Sequence, residues 1–439
     1  MINRFSLTIL CVMLVAASAG LAKTKPDDVH AEMLAMAKTT DIWPGLDIAK
    51  MPVAIFDGNK TWLFQHPKPP KPFSKVSDHV YAMDGRHEAM DRSGAAMLAG
   101  VGTATLLNET LFMSKTNGAR VALQNALKAH RLQHHPHWKV DESVRFSYPD
   151  GSPALIQARR MEHISLWNAL NAGTDEDRNC WINSALFVRK GRAKRMTEAD
   201  IKFERMLELT EGLDLHLKHK MEKTTLNLGE LGTAPPDFYR DHAVLAGAAW
   251  AFLLDATSKD WRNQLEQNDK LSLEDLLTKA VPKKEGCSFN AGQRQEMFQA
   301  AKIDSMYMRR QRVKQGKEFD QRAGWRVFVK TLSQPLKVNG YDATKVNMID
   351  NKTVLHKRYL AAKSDSGSLK MENLEALSLS AGKHALFDGL DSVRVFGLQG
   401  RPEVTEKNGV IEVKGEGIKL SFKNADAAWD DKELRIVIN

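Results

Sequence analysis

The chain has 439 residues, a formal charge of +9, and hydrophobic and charged shares of 43% and 27%. That length exceeds one ordinary core, so two or three domains are expected, and the balance excludes a disordered chain. The basic runs at residues 189–195 and 309–317 lack interleaved aromatics, which excludes nucleic acid and reads as solvated helix faces with a weak pull toward anionic surfaces.

In chain order, residues 1–22 read as a secretory signal. Arg4 is followed by an apolar stretch over residues 7–17, then Ala17-Ser18-Ala19 and Gly20-Leu21-Ala22. Cleavage is expected after Ala22 or Ala19, which places the mature chain in the periplasm or outside the cell. No later run approaches the roughly 18 apolar residues of a membrane-spanning helix. Cys180 and Cys287 then remain, and in an oxidising compartment they could close a loop of roughly a hundred residues. Spacing leaves joined and free cysteines equally open.

A short helix over residues 27–40 precedes Trp43-Pro44-Gly45. The apolar runs 52–56 and 61–64 flank Asp57-Gly58, a hairpin signal, and a proline-rich strap covers 66–72. Small apolar residues over 93–107 predict close packing or a buried strand, with period unable to choose. A helix over 118–134 ends before Pro136. Residues 154–223 read as helices, the first burying Leu155, Met161, Ile164, Trp167 and Leu170, the next two capped by Thr174 and Thr197. A wholly apolar helix over 237–255 is central, and Ser272 caps another before the long charged helix 289–317. Near Gly324 the period changes from 3.6 to 2, with turns at Asp388-Gly389, Asn408-Gly409 and residues 415–417. The expected class is α+β: a mainly helical domain over 23–322 opened by a β-hairpin, then a small antiparallel β domain over 323–439, a sandwich or open barrel.

Four of the 14 histidines fall within residues 130–137, at the end of an amphipathic segment. His130 and His134 stand at i, i+4, the spacing that lets two imidazoles reach one Zn²⁺. The order of Trp43-Pro44-Gly45, the hairpin 53–64 with His66-Pro67, this helix, Glu211-Gly212-Leu213, the helix 246–255 with Trp261, and Gly324-Trp325-Arg326-Val327 resembles exported bacterial proteins of a zincin-like, metallopeptidase type. In such proteins the helix reads His-Glu-x-x-His-x-x-Gln. Aligned on His130 and Gln133, the first His falls on Ala126 and the catalytic Glu on Leu127, which can neither bind metal nor take a proton. Shifting by four places Arg131 at the base position, and a cation cannot activate water.

The resemblance therefore implies a catalytically degenerate peptidase homologue that binds a peptide or protein partner. One alternative is an active zinc-dependent metallopeptidase with a relocated site on His130, His134 and Glu162 or Glu211, with His135 or His137 joining from the turn. Another is a structural envelope protein that recognises its target through the β domain. The cofactor expectation is accordingly none or Zn. His216 and His219, among Lys218 and Lys220, read as surface, and no Gly-x-Ser-x-Gly elbow or Gly-rich phosphate loop is present.

Overall fold

A computed structural model describes residues 24–39, 42–228, 239–343 and 345–439, so the signal segment lies outside the described residues. The class is α+β, with helices preceding a C-terminal β domain. By internal contacts the chain divides into two units: Met1–Trp138 with Leu217–Thr224, and Lys139–His216 with Thr225–Asn439. The helical residues from Lys139 to His216 thus belong with the β domain.

The first unit opens with α1 (Pro26–Ala37). Asp57-Gly58 joins β1 (Val53–Phe56) to β2 (Lys60–Phe64), and the Asp57 carboxylate accepts from the Asn59 and Lys60 amides at 2.8 Å, fixing the turn. The hairpin belongs to a larger sheet with β3 (Ser74–Ser77), β4 (Val80–Asp84), β5 (Gly94–Leu98) and β6 (Val101–Leu106), in the order β3-β4-β2-β1-β6-β5. The small apolar residues that sequence period could not assign are therefore the β5–β6 hairpin.

That smallness has a purpose. A Cβ on Gly102 would come within 2.5 Å of the Ala129 carbonyl of α2 (Lys115–His134). The helix is also fastened to β6 by side chains: Gln133 accepts from the Gly102 amide at 2.8 Å, and Asn125 donates to the Thr105 carbonyl at 3.0 Å.

The helices of the second unit are α3 (Pro153–Leu170), α4 (Asp175–Ala193), α5 (Glu198–Leu207), α6 (Leu213–Glu222, whose later part counts with the first unit), α7 (Tyr239–Thr257), α8 (Trp261–Gln267), α9 (Leu273–Ala280) and α10 (Ala291–Asp320). Thr174 caps α4, while Thr197 with Asp200 and Ser272 with Asp275 form reciprocal boxes on α5 and α9. Aspartate closes the box as glutamate would. The apolar α7 is buried through Ala246, Trp250 and Leu254.

Between α5 and α6 the backbone widens into a π-turn over Glu208–Gly212. There α7 passes so close that a Cβ on Gly247 would lie 2.6 Å from the Glu208 Cα, and one on Gly212 2.9 Å from the Gly247 Cα. Only glycine permits that crossing.

Disulfide Cys180–Cys287 ties α4 to the chain before α10, with a Cα–Cα separation of 5.1 Å and 107 residues between them. Thirteen strands follow, from β7 (Trp325–Thr331) to β19 (Glu433–Ile438), in a seven-stranded and a six-stranded sheet. All pairs are antiparallel except β7 with β19. Alternate residues of both sheets, among them Val327, Val329, Val395 and Ile436 from one and Leu369, Met371, Val413 and Leu420 from the other, share one core. Of the two forms expected, the sandwich is the one adopted.

Two expected faces are overturned in part. On α3 Leu155 is buried as expected and Met161, Ile164 and Leu170 are half-buried, but Trp167 is 47% exposed and the interior takes Ile156, Arg159, Arg160, Glu162, His163, Ser165, Leu166 and Ala169. On α4, Arg189 and Arg192 of the supposedly solvated basic run are 4% and 2% exposed. Each reversal has one cause: carboxylates and guanidinium groups from separate helices meet inside.

Candidate functional site

On α2, Ala126 and Leu127 are fully packed, so the two positions that would carry zincin chemistry serve the core of the first unit. His130 is buried and His134 exposed, their rings 4.5 Å apart. Pro136 stops the helix, and His135 leaves helical geometry at φ −127°, ψ 58°. Its ring is buried and stacks on Trp138 at 4.2 Å. One ring nitrogen of His135 then lies within 4.8 Å of one of His130. That pair, rather than His130 with the exposed His134, could supply two ligands to a metal ion.

Glu162 and Glu211 do not serve as open ligands. Both belong to the second unit, and both are held by arginine. Glu162 accepts from Arg189 at 2.9 Å and from Arg192 at 2.8 Å and 3.1 Å, while Glu211 pairs with Arg240. A guanidinium fork occupies the lone pairs a metal would need. His216 also departs from its surface reading: it is 4% exposed, with Nε2 2.8 Å from Asp255. Trp261 and Arg262 donate to the same carboxylate at 3.0 Å and 2.6 Å. Burial alone would raise the Asp255 carboxyl, but these partners hold it well below the usual range.

The densest chemistry lies in the helical part of the second unit. Arg189 donates to Glu162, to Glu208 at 2.9 Å and to Glu274 at 3.0 Å. Arg192 bridges Glu162 to Glu204, at 2.6 Å for the latter. The Tyr148 hydroxyl donates to Glu204, and Tyr148 stacks on Tyr239 at 4.4 Å. Burial raises the carboxyls of Glu204 and Glu208, and the neighbouring charges decide the outcome. Burial is outweighed at Glu204 by Arg192 and Arg189, which leave it at about 2. At Glu208 burial wins over Arg189, with Glu204 and Glu162 adding repulsion, and the carboxyl is pushed up to about 7. Burial likewise drives His163 down to about 2 and His242 to about 3, so both are neutral imidazoles 5.1 Å apart.

Tyr239 also lines a cavity of about 370 Å³, bounded by the turn Glu142–Phe146, Phe203 of α5, the start of α7, α10, and β9 (Val346–Met348) of the sandwich. Its polar wall holds both charges. Arg240 meets Glu142 at 2.8 Å, and Arg312 meets Asp150 at 2.5 Å. Arg145 differs from these two, donating to the Ala343 carbonyl oxygen and meeting the Tyr239 hydroxyl. Its charge faces neutral oxygens. Tyr239, Tyr307, Phe146 and Met348 supply an apolar lining.

Of the cavity residues, Arg312 belongs to the basic run 309–317, read from sequence as a solvated face. Arg145, Tyr239 and Tyr307 carry no local motif and are assembled by tertiary packing alone. No protein-family model, curated protein or solved structure matches the chain.

Proposed function

We propose that this chain is an exported, zincin-like binding protein with degenerate catalytic positions, which holds a short peptide segment in the cavity of its second unit. The observation that carries this reading is the cavity wall. It combines a guanidinium facing neutral oxygens (Arg145), two exchangeable arginine–carboxylate pairs, and aromatic side chains. A ligand carboxylate replaces neutral acceptors at Arg145 with a charge-assisted pair, while a ligand amine meets Glu142 or Asp150. The apolar lining takes an intervening side chain. Ala126 and Leu127, packed where a metal ligand and a base would stand, support binding without cleavage.

The test is binding of a defined pool of short synthetic peptides to the full chain, followed by titration of the retained ones. Replacing Arg145→Gln should weaken retained peptides about tenfold or more, the scale of one charge-assisted hydrogen bond. Unchanged affinity removes the cavity from the account.

The proximity of the His130 and His135 nitrogens favours a second reading, a metal-dependent hydrolase with a relocated site. Under that reading, His130→Ala and His135→Ala each abolish both bound metal and chelator-sensitive peptide cleavage.

A further inference from the structure

Helix α10 packs inward through Ala301, Met308, Gly316 and Phe319. Over residues 303–317 its opposite face is apolar and basic, bounded by the exposed Gln299 on one side and Glu318 on the other. Ile303 is 66% exposed, Met306 54% and Tyr307 60%, and Arg310, Lys314 and Lys317 continue the same stripe toward the C-terminus. Positions 303, 306, 307, 310, 314 and 317 recur at three and four residues, one face of a helix, over about 21 Å.

Residues 302–317 hold six cations against one carboxylate, Asp304. Asp304 is paired with Arg160, and Arg312 turns to Asp150, so the outward charge is cationic. Lys314 has only a loose 3.5 Å contact with Glu318, between two exposed side chains.

We infer that this outward face of α10 is a docking surface for an anionic lipid bilayer, on which the helix lies flat. Ile303 and Met306 standing in water beside a cluster of cations, with Tyr307 at the cavity edge of the same stripe, are the composition of an interfacial helix. Charge complementarity selects an anionic surface. Exposed Ile303 and Met306 beside the cations favour lipid, whose headgroups meet the charge and whose acyl region takes the apolar side chains, over an acidic protein, which would engage the cations alone. Anchoring in this geometry is peripheral, since no described helix is long and apolar enough to cross a membrane.

The experiment is vesicle flotation with the full chain, comparing phosphatidylcholine vesicles with and without phosphatidylglycerol. The chain should float only with the anionic vesicles and detach at high salt. The triple variant Arg310→Gln, Lys314→Gln, Lys317→Gln should lower partitioning by about fivefold per cation, on the order of a hundredfold in all. Ile303→Ser with Met306→Ser should lower it by about tenfold or more. Both variants change solvent-facing side chains, and thermal melts matching the parent confirm that they fold. The inference is overturned if the chain ignores anionic vesicles, or if both folded variants bind them as the parent does. It is equally overturned if the chain binds polyglutamate through this face but not lipid, which would assign the surface to an acidic protein.

Discussion

Helix α2 and the helical core of the second unit place their polar residues in opposite ways. In α2 the histidines gather at the end of the helix, and its middle, at Ala126 and Leu127, is plain packing. In the second unit the middle of α3 buries Glu162 and the last turns of α4 bury Arg189 and Arg192, while large apolar side chains such as Trp167 and Phe187 face outward. Density of reactive residue types along a chain is thus a poor guide to where charge is held. A histidine run next to proline follows from a helix ending, whereas a buried ion network needs partners separated by tens of residues.

The largest test of this contrast is Glu162→Ala. It takes from two buried guanidinium groups the carboxylate they share, leaving Arg189 with Glu208 and Glu274 and Arg192 with Glu204, and should cost about 3 kcal/mol of stability by urea unfolding. A loss below 1 kcal/mol would mean that water or other groups relieve those arginines, and the contrast would weaken.

Acid sensitivity comes next. Burial lowers His30 to about 4, His242 and His356 to about 3, and His163 to about 2. Their unfolded value is 6.5, so between pH 6 and 5 the unfolded chain binds protons that the folded chain refuses. The stability these neutral imidazoles contribute is complete above pH 6.5 and falls on acidification. Glu208 acts in the opposite sense, since its raised carboxyl takes a proton more readily when folded. Four histidines less one glutamate leave three protons in that window. His30, stacked on Phe64 at 4.4 Å, is the one of these in the first unit. Replacing it by Phe should reduce the pH slope by about 1.4 kcal/mol per pH unit, read from denaturation at pH 6 and 5.

The smallest effect expected is at His134. It is exposed at the end of α2, and His134→Ala should change stability by less than about 0.5 kcal/mol. It should also leave any metal bound by His130 and His135 in place, as read by metal analysis. Loss of that metal would restore the i, i+4 pair as the ligand set.

What could be read in advance follows from range. The Asp57-Gly58 turn, the caps at Thr174, Thr197 and Ser272, and the alternation after Gly324 are local, and each appears where its residues predict. The inward face of α3 was misassigned in part because hydrophobic period assumes that charge faces water. Glu162 escapes that rule only through arginines 27 and 30 residues away. At the candidate sites, the spacing of His130 and His134 was legible, but the return of His135 depends on one non-helical residue after the helix. Arg145 carries no signal at all, because its distinction is the acceptors around it.

The most direct measurement of the central claim is mass spectrometry of a defined peptide pool incubated with the full chain, with and without a chelator. The account predicts that some peptides are retained intact, that the chelator does not change the pool, and that Arg145→Gln releases the retained set. Chelator-sensitive cleavage products, lost on His130→Ala, would contradict it.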